Sequence, residues 1–208
     1  TQTLPEKYFV YFLHYEPDLS TFVWATNYRD QLYQLSQITN NLPNDTFVIV
    51  KEHPLSILTR PNSFYKSLNS LPNLILLDSE YSKFELIEKS KGIITICGTV
   101  GYEGWLLGKK IITLGSVFYN SFPDVTVVKN YDELNWHLTD LLNNQCVSTS
   151  EEERFGLDNF IRNSCTIEGS IFSYESAFNK IGDPEKLTNM RNLRDHIFKD
   201  LNKNSIEV

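Results

Sequence analysis

Short apolar runs rich in β-branched and aromatic residues recur along the first two thirds of the chain, at Tyr8–Leu13, Thr46–Val50, Leu74–Leu77, Ile93–Cys97, Ile111–Leu114 and Val125–Val128. They are continuous rather than alternating, which is how strands read when a parallel sheet is buried on both faces. Helix-like stretches separate them. Asn27–Asn41 places Leu32, Leu35, Ile38 and Leu42 on one face, and Leu42-Pro43 ends it. Ser63–Ser70, Ser82–Ser90, Gly101–Leu107 and Tyr131–Asn143 fit shorter helices, the last with Leu134, Leu138 and Leu141 on one stripe. Strand–helix alternation of this kind predicts right-handed βαβ crossovers, hence an α/β, Rossmann-like, doubly wound parallel sheet of about six strands.

After Asn144 the pattern turns to helix alone. Glu151–Asn163 follows Ser148, Thr149 and Ser150 and carries three Glu in its first turn, where the helix dipole favours them. Lys186–Leu201 follows Asp183-Pro184 and aligns Leu187, Met190, Leu193, Ile197 and Leu201 on one face. The division expected is therefore a sheet domain over residues 1–145 and a helical extension over 146–208, packing on that domain or on another one.

Charge narrows the partners. With 19 Lys+Arg against 26 Asp+Glu, the net charge of −7 leaves no broad basic field for a nucleic-acid backbone, so an anion must be caught locally. Cys97, Cys146 and Cys165 show no paired spacing, which suggests neither a disulfide framework nor a zinc site and fits a reducing cytoplasm. No apolar run approaches the roughly 18 residues of a membrane span, and the start lacks the layout of a signal peptide. The chain opens on Thr1 and its only methionine is Met190, so a piece of something longer, or a processed chain, is expected.

In open α/β sheets ligands bind beyond the carboxyl ends of the strands, and three strand exits carry chemistry. The fourth strand runs into Gly98-Thr99-Val100-Gly101-Tyr102-Glu103-Gly104, a glycine-rich strand-to-helix turn that can bring backbone N–H groups and a helix N-terminus to a phosphate. It matches neither of the two commonest phosphate-loop patterns. Glu103, placed in the first turn of that helix, could accept from sugar hydroxyls, or could simply complement the dipole. The second strand exits into Lys51-Glu52-His53-Pro54, where the proline biases His53 toward an extended backbone at the strand end. His53 and Lys51 could meet a phosphate, or could belong to a surface loop. The first strand exits into His14-Tyr15-Glu16-Pro17-Asp18-Leu19-Ser20-Thr21; its imidazole, carboxylates and hydroxyls could supply an acid or base or contact a sugar, or serve as turn and cap residues. No metal-ligand pattern stands out, and His137 and His196 read as structural.

Taken in order, Phe12 to Thr21, Lys51-Glu52-His53-Pro54, and Gly98 to Gly104 continuing through Gly108-Lys109-Lys110 resemble the capsular polysaccharide biosynthesis family of bacterial glycosyltransferases, similar to the Kdo transferases of capsule export and more distantly to polysialyltransferases. The resemblance runs from about Tyr8 to Val128. It implies one half of a GT-B fold: a C-terminal nucleotide-sugar-binding domain, often for a CMP-sugar, with no metal or other cofactor. On that pattern Lys51, His53 and Pro54 contact donor phosphate, Gly98, Thr99 and Gly101 line the nucleotide pocket, Glu103 holds hydroxyls, and Ser20 and Thr21 complete the donor site. His14 and Glu16 are candidate catalytic groups. The family's acceptor domain, and the catalytic carboxylate expected on it, precede this region, and the chain begins near the linker between the two. A glycan or glycolipid acceptor and a cytoplasmic place, including the inner face of the bacterial membrane, follow from the same resemblance. The competing readings are a nucleotide-sugar epimerase or CDP-alcohol phosphotransferase of similar fold, and a nucleotide-binding module without chemistry.

Overall fold

The computed structural model describes residues 4–16, 30–56, 59–77, 81–144 and 148–164. Among them β1 (Tyr8–Phe12), β2 (Phe47–Lys51), β3 (Leu74–Leu77), β4 (Gly92–Thr95), β5 (Ile111–Thr113) and β6 (Val125–Val127) form one sheet, ordered β3-β2-β1-β4-β5-β6 and parallel throughout. The α/β, doubly wound expectation holds, and the strand order is that of a Rossmann fold. Strand β1 is central: Val10 stands level with Ile49 of β2 on one side and Ile93 of β4 on the other.

Helices α1 (Gln31–Asn41), α2 (Asn62–Asn69), α3 (Lys83–Lys89), α4 (Thr99–Leu106) and α5 (Leu134–Asn143) alternate with the strands. The side chains of β1 sort by parity. Phe9, Tyr11 and Leu13 join Leu35 and Ile38 of α1 and Leu134, Leu138 and Leu141 of α5, whereas Tyr8 and Val10 join Ile49, Leu77 and Leu86 of α3. A strand covered on both faces has no reason to alternate, which is why the runs read as continuous. Each fully buried Leu or Ile contributes about 1.5–3 kcal/mol relative to exposure. The two buried tyrosines of β1 keep their hydroxyls bonded: Tyr8 donates to the Leu86 carbonyl (3.1 Å) and Tyr11 to Gln34 Oε1 (3.1 Å).

The structure revises some element bounds. Helix α1 begins at Gln31, capped by the Asp30 carboxylate, which accepts from Tyr33 N–H (3.0 Å), rather than at Asn27. Its buried face carries Gln31 and Gln34 beside Leu35 and Ile38, because both amides serve hydrogen bonds to the β1 segment. Helix α4 begins two residues before the expected Gly101, so Glu103 stands fifth in it and no acidic residue occupies its first turn. The chain divides into two units, Thr1–Ser150 and Glu151–Val208. Of the second, α6 (Glu151–Ser164) is described, with Glu151, Glu152 and Glu153 in its first turn. The helix expected over Lys186–Leu201 lies outside the described residues. No helix among the described residues is long and apolar enough to cross a membrane.

The segment after α5 is tied back to the sheet by Asp124, whose backbone sits at φ 62° just before β6. Its carboxylate accepts from Ser148 N–H (2.8 Å) and Oγ–H (2.9 Å) and from Thr149 N–H (3.1 Å) and Oγ1–H (2.8 Å). Burial works to raise this carboxyl, but the four donors outweigh it and hold it below the usual carboxylate range. A depressed pKa in the folded state gives stability that is present above the unfolded value, near 3.9, and lost as pH falls through the folded one. Asp124→Ala should therefore cost about 1–3 kcal/mol in urea unfolding at pH 7, and the gap from wild type should close as the pH is lowered below about 4. An equal gap at pH 7 and pH 3 would refute the charged-acceptor account.

Candidate functional site

The order β3-β2-β1-β4-β5-β6 reverses direction between β1 and β4, so the loops leaving these two strands run to opposite faces and open a crevice at their carboxyl ends. His14 leaves β1 at this point. Its main chain is gripped by the fully buried Gln31: the His14 N–H donates to Gln31 Oε1 (2.8 Å) and Gln31 Nε2 donates back to the His14 carbonyl (3.1 Å). This side-chain amide continues the hydrogen bonding that the strand ladder has stopped supplying. His14 Nε2 lies 3.4 Å from Oγ1 of the buried Thr95, the last residue of β4, and Thr95 Oγ1 accepts from Gly98 N–H (3.1 Å). The exits of β1 and β4 thus meet through one hydroxyl.

Four glycines follow, each with its own reason. Gly98 caps α4 with an ordinary extended backbone; a Cβ there would stand 2.9 Å from Thr95 Oγ1 and 3.3 Å from His14 Cε1, so the Thr95 hydroxyl first, and the His14 ring after it, leave room only for a small residue. Gly101 is buried and makes room for Tyr119, whose ring Cζ would be 2.9 Å from an added Cβ. Tyr119 donates its hydroxyl to the Gly98 carbonyl, and burial pushes its phenol well above the ordinary value, so it remains a donor. Gly104 lets α4 sit on Ile93 and Ile111. Gly108, at φ 73°, ends the helix: its N–H donates to the Trp105 carbonyl (2.9 Å) and Lys109 N–H to that of Gly104 (2.9 Å), the paired bonds of a Schellman cap. Lys109 Nζ donates to the Glu88 and Ser90 carbonyls and so anchors the end of α3.

The exit of β2 folds toward the same place. Proline 54 opens a 3₁₀ turn, Pro54–Ser56, and His53 Nδ1 accepts from Leu55 N–H (3.2 Å). The proton of the neutral ring therefore resides on Nε2, which is the nitrogen able to donate to an anion. The Tyr15 ring approaches His53, with centroids 6.0 Å apart, joining the β1 and β2 exits. Lys51 and Glu52 are both buried, 7% and 6% exposed, so they do not form a solvated surface loop.

The expected site residues thus fall into groups. His14, His53, Gly98 and the exposed Thr99 stand at the β1, β2 and β4 exits. Gly101 faces Tyr119, Glu103 pairs with Lys83 at the start of α3, and Glu16 accepts from Arg60 Nη1 (3.1 Å). Ser20 and Thr21 lie outside the described residues. Sequence reasoning missed Thr95, Gln31, Tyr119 and Arg60. Thr95 alone left a signal, as the one hydroxyl inside Ile93-Ile94-Thr95-Ile96. Among the described residues no cluster of three or more His, Cys, Asp or Glu could hold a metal ion.

Residues 5–140 match the family described as Capsule polysaccharide biosynthesis protein. A 78-residue stretch is 38% identical to Protein FixF of Sinorhizobium fredii (strain NBRC 101917 / NGR234), spanning 38% of this chain and 18% of that protein. The fold is similar to two Thermosulfurimonas dismutans KpsC structures. The beta Kdo 2,7 transferase superposes with a TM-score of 0.50 at 17% identity, over 77% of this chain and 57% of that one. The beta Kdo 2,4 transferase does so at 0.50 and 18%, over 74% of this chain and 44% of that one. The chain thus spans little more than half of these structures at most, and under a fifth of FixF.

Because Gly101 is small for the sake of Tyr119, Gly101→Ala should destabilise the chain by about 1–3 kcal/mol, the cost of overpacking against a stiff ring. Thermal or urea unfolding measures it. An unchanged midpoint would mean that the ring moves freely and that the contact does not explain the glycine.

Proposed function

Since the chain belongs to the capsule polysaccharide biosynthesis protein family, we propose that it is the nucleotide-sugar-binding part of a glycosyltransferase that builds capsular or surface polysaccharide. The observation that carries this reading is the meeting of His14, Thr95 and Gly98 at the crevice between β1 and β4, with His53 at the neighbouring exit. Sugar transfer from a nucleotide develops negative charge on the departing phosphate. A group that donates a hydrogen bond from His53 Nε2, together with the first N–H groups of α4 beyond Gly98, stabilises such charge without a metal. Thr99 would sit at that helix start, and Lys51 and Glu103 would act at its margins.

The KpsC relatives carry Kdo in their descriptions, and a CMP-sugar donor is the reading favoured for this chain. The arrangement proposed is GT-B, with a second Rossmann-like domain supplying the acceptor site and the catalytic carboxylate. The acceptor is a glycan or glycolipid, met on the cytoplasmic side of the membrane. In this reading His14, hydrogen-bonded through Thr95 to the start of α4, couples the phosphate site to the transfer centre, and Glu16 holds that exit in shape; the contacts of His14 with Thr95 and of Glu16 with Arg60 support it.

Thermal unfolding in the presence of CMP, CDP and UDP tests the donor reading. CMP at a hundredfold excess over its dissociation constant should add about 2.7 kcal/mol and raise the midpoint by several degrees. His53→Ala should abolish that rise. If none of the three nucleotides moves the midpoint, the donor reading fails; a full rise in His53→Ala would show that the phosphate binds elsewhere.

A further inference from the structure

Arg60 stands outside all three exit motifs, yet its side chain is only 5% exposed, donates to acceptors of the β1 exit and lies against a carboxylate of the β2 exit. Nη2 donates to the His14 carbonyl, Nη1 donates to Glu16 Oε2 (3.1 Å), and Nε lies 3.2 Å from Glu52 Oε2. The guanidinium also rests over the Phe64 ring, 4.7 Å from its centroid. Glu52, 6% exposed, in turn accepts from His53 N–H at Oε1 (2.6 Å) and from the Tyr65 hydroxyl at Oε2 (2.8 Å). Burial, then this hydrogen bond, pushes the Tyr65 phenol up to about 12, so it stays a donor.

Burying such a pair costs desolvation that its mutual attraction often fails to exceed, so stability is a poor account of why an arginine and a glutamate occupy this position. Geometry is a better one. A guanidinium presents its donors in a fixed planar fork, and this one ends on the main chain of His14 while its carboxylate partner ends on the main chain of His53. The His14 carbonyl receives Arg60 from one side and Gln31 from the other, which leaves that peptide little freedom.

We propose that the Arg60–Glu52 pair is the positioning element for both histidines, setting the spacing of the β1 and β2 exits so that the two imidazoles converge on one anion; this rests on the donor-phosphate reading of the site. The test uses the whole 208-residue chain, CMP as the ligand and imidazole-ring NMR signals as a second readout. His14→Gln and His53→Gln assign the two rings, and His137, on α5, serves as an internal reference. Arg60→Ala and Glu52→Gln should each move the His14 and His53 signals, leave His137 in place, and weaken CMP binding by about 10- to 100-fold, the scale of a small misplacement in a preorganised site. Arg60→Lys keeps the charge but loses the fork and should not restore binding. Lys7→Ala, which removes the exposed pair with Asp45, should leave both readouts unchanged.

If the variants melt earlier while both histidine signals and the CMP affinity stay as in wild type, the pair is a structural strut and the proposal is overturned. Should Arg60→Ala fail to fold, Glu52→Gln and Arg60→Lys decide by the same criteria. Wild-type chain that does not bind CMP would strike the donor reading instead, and the imidazole signals alone would then decide whether the pair positions the histidines.

Discussion

Strand β1 is enclosed on every side, by β2 and β4 along its edges and by helices on both faces, and the remaining architecture follows from satisfying it. Its apolar side chains require two layers of cover. Its tyrosine hydroxyls require partners within that cover, which Gln34 and the Leu86 carbonyl provide. Its central position also makes it one side of the point where the strand order reverses. The chain leaving β1 has lost its ladder partners just where it enters the crevice, and Gln31 and Arg60 take over the bonding of that exit. The same constraint that builds the core therefore builds the mouth of the candidate site.

The glycine-rich segment after β4 shows how one motif divides into different physical duties. A run of glycines suggests a backbone cradle for phosphate. In the folded chain only Gly98 borders the crevice, while Gly101 accommodates a tyrosine, Gly104 a helix–sheet contact and Gly108 a left-handed helix cap. Tyr119 connects these duties, since the space left by Gly101 lets its hydroxyl hold the Gly98 carbonyl and so fixes the start of α4. Any ligand at that helix start depends on packing several residues away from it.

The donors of the candidate site stand against an acidic background. The net charge of −7 gives no general attraction for polyanions, so any anion bound here would be recognised through a few groups held at fixed positions. The family match spans residues 5–140 and so includes the strand ends that carry His14, His53 and the start of α4. Precision then matters more than charge, which gives the buried Arg60–Glu52 pair its interest.

Continuous apolar runs were enough to identify the six strands and their parallel, doubly covered sheet, because a strand buried on both faces leaves its mark in consecutive residues. The strand exits were equally legible, since prolines, glycines and histidines at strand ends constrain the backbone locally. Helix starts were less so: Asp30 and Gly98 act as caps only once their neighbours are placed. What no local pattern contains is the partnership between distant residues. Arg60 lies 46 positions from His14, and Tyr119 lies 21 from Gly98. Gln31, Thr95 and Glu52 likewise acquire their roles from segments that the fold brings side by side. Periodicity and composition, which act over a few residues, determined the fold class and the strand ends at which candidate residues stand; the bonds that hold those ends in register were decided by tertiary packing, because only the folded chain brings their two ends within hydrogen-bonding distance.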